Sequence, residues 1–322
     1  MNIDTFSKLQ KEGLISDEEM QRITHTENTR LFSLHWEIKT VLYLGVLLLS
    51  GGLGILVYKN IDTIGHQVIL LFIALLCIGC YAYCFRHRPP FSREKSESPN
   101  AFYDYALLLG GLTFVTFIGY LQYQYTAFGT AYGLATFIPM VVLFATAYYF
   151  DHLGILSMAI TNFAAWLGIA ITPMQILSQN DFENNALIYT GVALGIGLVV
   201  LAELSEKRDF KKHFAFTYRN FGVHIFFIAS MAGMIIFENY YGYWFLLIAG
   251  GVYLTWLRAF RDRSFYFVLV AVLYGYFALS TFLAHLIFNH LDETIYLAFM
   301  YMIVSTVGVI ILLINLNKKI KQ

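Results

Sequence analysis

The sequence has few charged residues, and this deficit is its first informative feature. Charged side chains make up 13% of the 322 residues and apolar ones 58%, whereas soluble domains usually carry about 25% charged residues. An ordinary soluble fold is therefore excluded, and lipid is expected to surround most of the chain. The formal net charge is zero, so the composition gives no reason to expect a nucleic-acid partner.

Signatures of enzymes and of secretion are also absent. The sequence contains no Gly-x-Ser-x-Gly, no phosphate-binding loop and no His-Glu-x-x-His, so we expect no catalytic residue, cofactor or metal. The N-terminus, MNIDTFSKLQKEG, has neither the basic start nor the apolar run of a cleavable signal peptide. The first apolar segment is therefore expected to direct its own insertion into the membrane.

The three cysteines, Cys77, Cys80 and Cys84, all lie in one apolar segment. Their spacing of i, i+3 and i+7 places them along one face of a helix. Such a stripe predicts a close helix contact rather than a disulfide framework. A metal or thiol relay, and acylation of Cys84, are the alternatives.

Ten apolar segments are bounded by charged or turn-forming residues, and a spanning helix needs about 20 mainly apolar residues. We therefore predict an all-α polytopic bundle of about ten transmembrane helices within residues 37–317. A head (1–36) precedes this bundle and a basic tail (318–322) follows it. The least certain boundaries are at Asp151–His152 and Glu238–Asn239. The predicted spans are 40–58, 64–85, 102–123, 130–150, 153–172, 185–204, 219–237, 240–257, 264–287 and 293–315.

The distribution of Lys and Arg predicts the orientation of these spans. Cytoplasmic loops of membrane proteins carry most of the basic residues. If both termini are cytoplasmic, every Lys and Arg except Lys59 falls in a cytoplasmic segment. The sequence therefore predicts a multi-pass membrane protein with both termini on the cytoplasmic side. The segment 86–101 is predicted to be a flexible linker.

Residues 1–36 are predicted to form a small cytoplasmic helical hairpin. Gly13 is placed to end a first helix, and Ser16 with Glu19 forms the Ser-x-x-Glu capping box that begins a second. A hairpin this small cannot bury enough surface to fold alone. It is expected to dock on the membrane domain, on a second copy or on a cytoplasmic partner through an apolar face formed by Phe6, Leu9, Leu14, Met20 and Ile23.

Two stretches resemble a known family. LQKEGLISDEEMQRI, followed by VLYLGVLLLSGGLGILVYKNID, resembles a family of predicted bacterial multi-pass membrane proteins of unknown function. In that family a helical-hairpin head precedes a glycine-rich first span. Ile61 stands where the family has a tryptophan. The resemblance implies a bacterial membrane location and no catalytic residue. The matching positions are Leu9, Gly13, Ile15, Ser16, Glu19, Gly45, Gly52, Gly54 and Asn60.

Polar residues within spans are costly in lipid and therefore mark candidate functional positions. Thr161 and Asn162 are the most central polar pair, and Pro139 is expected to kink the fourth span. Asp104 and His224 lie nearer the cytoplasmic ends of their spans. These five residues are predicted to line a solute pathway or to form contacts between helices.

Two functions follow as hypotheses. The first is a transporter of a small neutral or amphipathic solute, because little of the chain lies outside the bilayer. The second is a membrane scaffold or sensor whose head mediates oligomerisation or partner binding. The position of Asn162 and Pro139 favours the first, and the apolar face of the head favours the second.

Overall fold

The structure is a computed structural model. It describes residues 35–171, 185–288 and 295–321, together with Gln10, Ile15, Ser16, Glu19 and Met20. Throughout these residues the regular structure is helical. The ten α-helices are α1 (His35–Ile64), α2 (His66–His87), α3 (Ala101–Tyr125), α4 (Leu134–Phe150), α5 (Leu153–Ile171), α6 (Asn185–Lys207), α7 (Phe214–Ile236), α8 (Tyr241–Arg261), α9 (Phe265–Phe288) and α10 (Ile295–Lys321).

Eight of the described helices are long and apolar enough to cross a membrane. Two apolar segments are shorter, Thr40–Leu56 within α1 and Leu134–Phe150, which is α4. Each predicted span overlaps one of the ten helices. The chain is therefore a multi-pass helical membrane protein, and the number of crossings stays a prediction.

The chain divides into two compact units, residues 1–61 and 62–322. In the first unit, the capping box predicted for the head is present. The Glu19 N–H donates to Ser16 Oγ at 3.2 Å, and the Ser16 N–H donates to Glu19 Oε2 at 2.9 Å. The bond from the Ser16 N–H lowers the pKa of Glu19, because it stabilises the charged carboxylate.

In the second unit, consecutive helices pack against each other in pairs. In the α2–α3 pair, the Cys77 thiol contacts the Gly110 carbonyl and the Cys84 thiol contacts the Tyr103 carbonyl. A Cβ on Gly110 would lie 3.2 Å from Cys80 Cβ. The cysteine stripe therefore forms the close helix contact that its spacing predicted.

Glycines bring α6 and α7 unusually close together. A Cβ at Gly195 would lie 2.6 Å from the Phe226 backbone nitrogen, and one at Gly222 would lie 2.8 Å from the Gly195 carbonyl oxygen. Backbone atoms cannot rotate away as side chains can. Only residues without a side chain allow this approach.

The two least certain helix boundaries have clear structural causes. Asp151 ends α4 in the left-handed conformation, with φ of 59°, which aspartate tolerates better than most residues. His152 then caps α5, because its Nδ1 accepts the N–H of Ile155 at 3.1 Å. A 3₁₀ turn, Glu238–Tyr240, separates α7 from α8. Two residues or a single short turn are thus enough to reverse the chain.

Candidate functional site: a lateral groove with a charged end

Five charged residues converge where α6 ends, α7 begins and α8 ends. Glu203 and Glu206 lie three residues apart, which places both on the same side of α6. Arg219 belongs to the second turn of α7, and the close contact between α6 and α7 holds it opposite these two glutamates. Arg258 and Asp262 come from the end of α8 and the connection after it. We call these five residues the ion-pair cluster.

Each arginine of the ion-pair cluster contacts all three carboxylates. Arg219 Nη2 lies 3.2 Å from Glu203 Oε1 and 2.7 Å from Glu206 Oε1, and its Nη1 lies 3.2 Å from Asp262 Oδ2. Arg258 Nη1 lies 3.1 Å from Glu203 Oε2, and its Nε lies 2.9 Å from Asp262 Oδ2. Arg258 also pairs with Glu206. Such a network ties three segments of the chain to one another.

Arg219 is the most buried member of the ion-pair cluster. Its side chain is 8% exposed, whereas the three carboxylates are 23–32% exposed. The Nε–H of Arg219 is buried and has no acceptor among the residues that the structure describes. An unsatisfied buried donor costs about 1–3 kcal/mol, so an additional acceptor at this position would be stabilising.

A groove of about 460 Å³ begins at the ion-pair cluster. Its apolar wall includes Val199, Val223 and Phe226, and Glu203, Arg219, Arg258 and Arg261 line its charged end. The rim of the groove is formed by apolar side chains that point away from the protein, namely Ile196, Val200, Leu254 and Leu257. The groove therefore opens sideways, onto the apolar surface of the helices.

A second charged group, Asp151 with Lys211 and His213, ties the connections between helices together. Lys211 Nζ lies 2.9 Å from Asp151 Oδ1, and His213 Nε2 lies 2.6 Å from the same oxygen. The Ser96 N–H donates to Asp151 Oδ2 at 2.6 Å. The segment 88–100 thus has no helix or strand, as expected, but it is anchored where the sequence predicted a flexible linker.

Asp104 lies beside this anchored segment. It is 5% exposed, accepts the hydroxyl of Ser98 at 2.5 Å, and lies 3.8 Å from His152 Nε2. Since His152 Nδ1 accepts the N–H of Ile155, the neutral imidazole carries its proton on Nε2, facing Asp104. Asp104 therefore helps to hold the segment before α3 in place.

His224 links α7 to α9. Its Nδ1 lies 2.9 Å from the Tyr274 hydroxyl and its Nε2 lies 2.9 Å from the Tyr266 hydroxyl. Tyr266 also donates to Asn220 Oδ1 at 2.5 Å. Both ring nitrogens are thus occupied in a contact between helices.

The other predicted pathway residues do not converge on the groove. The Asn162 amide donates to the Met158 carbonyl at 3.0 Å, and the Thr161 hydroxyl donates to the Ser157 carbonyl at 2.9 Å. Both bonds lie within α5, and Thr161 is on its exposed side. Pro139 is buried in α4. The described hydrogen bond of Asn162 thus lies within its own helix, and a contact with another helix stays a prediction.

Of the predicted apolar face of the head, Met20 is half-buried; Phe6, Leu9, Leu14 and Ile23 lie outside the described residues.

The ion-pair cluster is not among the features predicted from the sequence, because membrane orientation alone explains Arg219 and Arg258. A signal was present in the spacing. Glu203 and Glu206 are three residues apart and Arg258 and Asp262 four apart, both of which place charges on one side of a helix.

Residues 7–156 match a family described as "Predicted membrane protein (DUF2157)". The match confirms the resemblance to a family of membrane proteins of unknown function, and it spans slightly less than half of the chain. No curated protein and no solved structure matches. The matched residues end in α5, so the ion-pair cluster and the groove lie beyond them.

Proposed function

We propose that this multi-pass membrane protein binds an amphipathic molecule in the groove of α6–α8 and moves it across the bilayer. The observation that carries the proposal is the combination of a lateral apolar opening with a charged end. An amphipathic molecule has the same two parts. The volume of about 460 Å³ falls within the range of about 300–1,000 Å³ typical of small-molecule sites.

The position of the groove also favours this function over passage of a water-soluble ion. Its rim consists of exposed apolar side chains, so a ligand can enter sideways from lipid. The ion-pair cluster already neutralises most of its own charge through six close contacts. A polar headgroup can therefore rest against fixed charges while its chain remains in an apolar environment.

Two leucines on α8 provide a matched test. Leu254 lines the groove and Leu246 does not, yet their exposed fractions are 67% and 66%. We expect Leu254→Trp to obstruct the groove and Leu246→Trp to leave it open. The measurement is translocation of an NBD-labelled lysophospholipid in proteoliposomes, followed by dithionite quenching. Leu254→Trp should slow translocation severalfold, and Leu246→Trp should match the wild type. Equal rates in wild-type and protein-free liposomes would refute transport.

The proposed location is the inner membrane, with both termini cytoplasmic. The distribution of Lys and Arg supports this orientation. The connections 88–100, 151–152 and 208–213, all assigned to the cytoplasm, contact one another through Asp151 and Lys211. Fusion of a periplasm-specific reporter enzyme to the C-terminus should give no activity, whereas fusion of a cytoplasmic fluorescent protein should give signal.

A scaffold or sensor is the second candidate. The capping box at Ser16 and Glu19 supports a helical start within the head, which is needed for a head that binds a second copy or a partner. Deletion of residues 1–30 should then abolish assembly of the purified protein, as measured by light scattering. Unchanged assembly would remove this candidate.

A further inference from the structure

The charged side chains that line the groove are unequal in sign. Three are arginines, Arg219, Arg258 and Arg261, and one is a glutamate, Glu203. Glu206 and Asp262 balance the arginines of the ion-pair cluster but do not line the groove. A ligand within the groove therefore meets a surface richer in cations than the cluster as a whole.

Arg261 differs from the other two arginines of the groove. Arg219 and Arg258 each contact three carboxylates, whereas Arg261 forms no ion pair with any carboxylate in the described part of the chain. Arg261 is also exposed, at the last residue of α8. It is therefore a cation with its charge available at the mouth of an apolar groove.

A second observation points to an anionic group at the same end. Arg219 is 7% exposed and lines the groove, and its Nε–H has no acceptor within the described part of the chain. Phosphate oxygens are strong acceptors, and arginine binds phosphate particularly well because its donors are arranged in a fixed plane. A phosphate beside Arg261 would meet the available charge at the end of the groove that Arg219 also lines.

We propose that the ligand of the groove is an anionic phospholipid of the cytoplasmic leaflet, bound with its phosphate at Arg261 and one acyl chain along Val199, Phe226 and Leu254. This inference rests on the proposed function and names the class of its ligand. Charge at Arg261 selects the headgroup, and the apolar wall accepts the chain without selecting it. A basic residue near an anionic membrane surface contributes about 1 kcal/mol, which corresponds to about a fivefold preference.

The test uses the full-length protein in nanodiscs that contain phosphatidylglycerol or phosphatidylcholine with the same photoreactive acyl chain. After irradiation, labelled peptides are identified by mass spectrometry. We expect phosphatidylglycerol to label the segments 195–203 and 251–258 about five times more than phosphatidylcholine does. Arg261→Gln should reduce this preference to nearly one, and Arg261→Lys should retain it. Arg263→Gln is the matched control, because Arg263 is exposed nearby but does not line the groove.

The outcomes separate the two proposals. Equal labelling of the groove by both lipids would overturn the selection of an anionic headgroup but leave the groove as a lipid site. Equal loss of preference in Arg261→Gln and Arg263→Gln would also overturn it, because general surface charge would then be the cause. Labelling of the groove no stronger than that of the exposed side of α10 would refute the proposed function as well.

Discussion

The α6–α8 region and the α4–α5 pair both carry polar side chains within apolar helices, but those of α6–α8 lie beside a groove. In α5 the polar side chains of Thr161 and Asn162 bond to carbonyls of their own helix. In α6–α8 the charged side chains bond between helices, and a groove begins beside them. A polar residue at a central position is therefore less informative than polar residues that several helices bring together.

Glycine spacing contributes to this difference. Gly195 and Gly222 bring the backbones of α6 and α7 together at one level, and the same face of the pair carries Glu203 and Arg219. In the α4–α5 pair, larger residues fill the contact, including Phe144 with Phe163 and Phe137 with Trp166. Aromatic side chains packed between two helices leave less space for a ligand than the glycine contact of α6 with α7, which has a groove beside it.

Removal of Arg219 should destabilise the protein more than any of the other substitutions, because it disrupts the ion-pair cluster that distinguishes α6–α8 from α4–α5. Arg219→Leu leaves three carboxylates with one arginine in a partly buried site, and loss of one partner from a buried ion pair costs about 3–5 kcal/mol. We expect a large decrease in the thermal unfolding temperature of the purified protein. Arg263→Gln, at an exposed arginine, should leave that temperature unchanged. Similar unfolding temperatures for both variants would show that the ion-pair cluster is not structural.

A methyl group at Gly195 should produce the next largest effect. Gly195→Ala places its Cβ against the backbone of Phe226, and overpacking of this kind costs about 1–3 kcal/mol. Gly197 lies on the same helix with no atom within 4 Å of the added Cβ, so Gly197→Ala should be neutral. The comparison requires unfolding temperatures measured in one detergent. A neutral Gly195→Ala would contradict the close packing of α6 against α7.

Substitution of Asn162 should have a small effect. Asn162→Leu removes a hydrogen bond within α5, and polar contacts in membrane helices contribute about 0.6 kcal/mol on average. We expect little change in stability and none in translocation of the lysophospholipid. If Asn162→Leu abolished translocation while the protein remained folded, the site would lie in α4–α5 rather than in the groove.

Disruption of the capping box should have the smallest and most local effect. Ser16→Ala removes the acceptor for the Glu19 N–H, at a typical cost of about 1 kcal/mol. Hydrogen exchange of the Glu19 amide should accelerate about fivefold, without any change in the helices of residues 62–322. The ionised carboxylate of Glu19 accepts from Ser16 more strongly than the protonated carboxyl group does. Acidification through its lowered pKa should therefore weaken the same cap, and protection of the Glu19 amide, relative to its intrinsic exchange rate, that is unchanged by the substitution and by acidification would contradict it.

The helical segments could be predicted from sequence because each depends on a local property. A long apolar run predicts a helix in lipid, and the reversals at Asp151–His152 and Glu238–Tyr240 occur where short polar segments interrupt those runs. The capping box is likewise set by residues three apart. Such features require no knowledge of which helices are neighbours.

The groove could not be predicted in the same way, because it depends on contacts between distant residues. Glu203 and Arg258 are 55 residues apart in sequence, and each alone resembles a charge that marks the end of a span. The anchoring of segment 88–100 depends on Asp151 and Lys211, which are similarly distant. Only the packing of the helices brings these charges together.

The most direct test of the central claim is an experimental structure of the protein in nanodiscs that contain phosphatidylglycerol. We expect elongated density along Val199, Phe226 and Leu254, with a phosphate beside Arg261. A groove closed by its own side chains, with ordered lipid beside Asn162 and Pro139 instead, would contradict it.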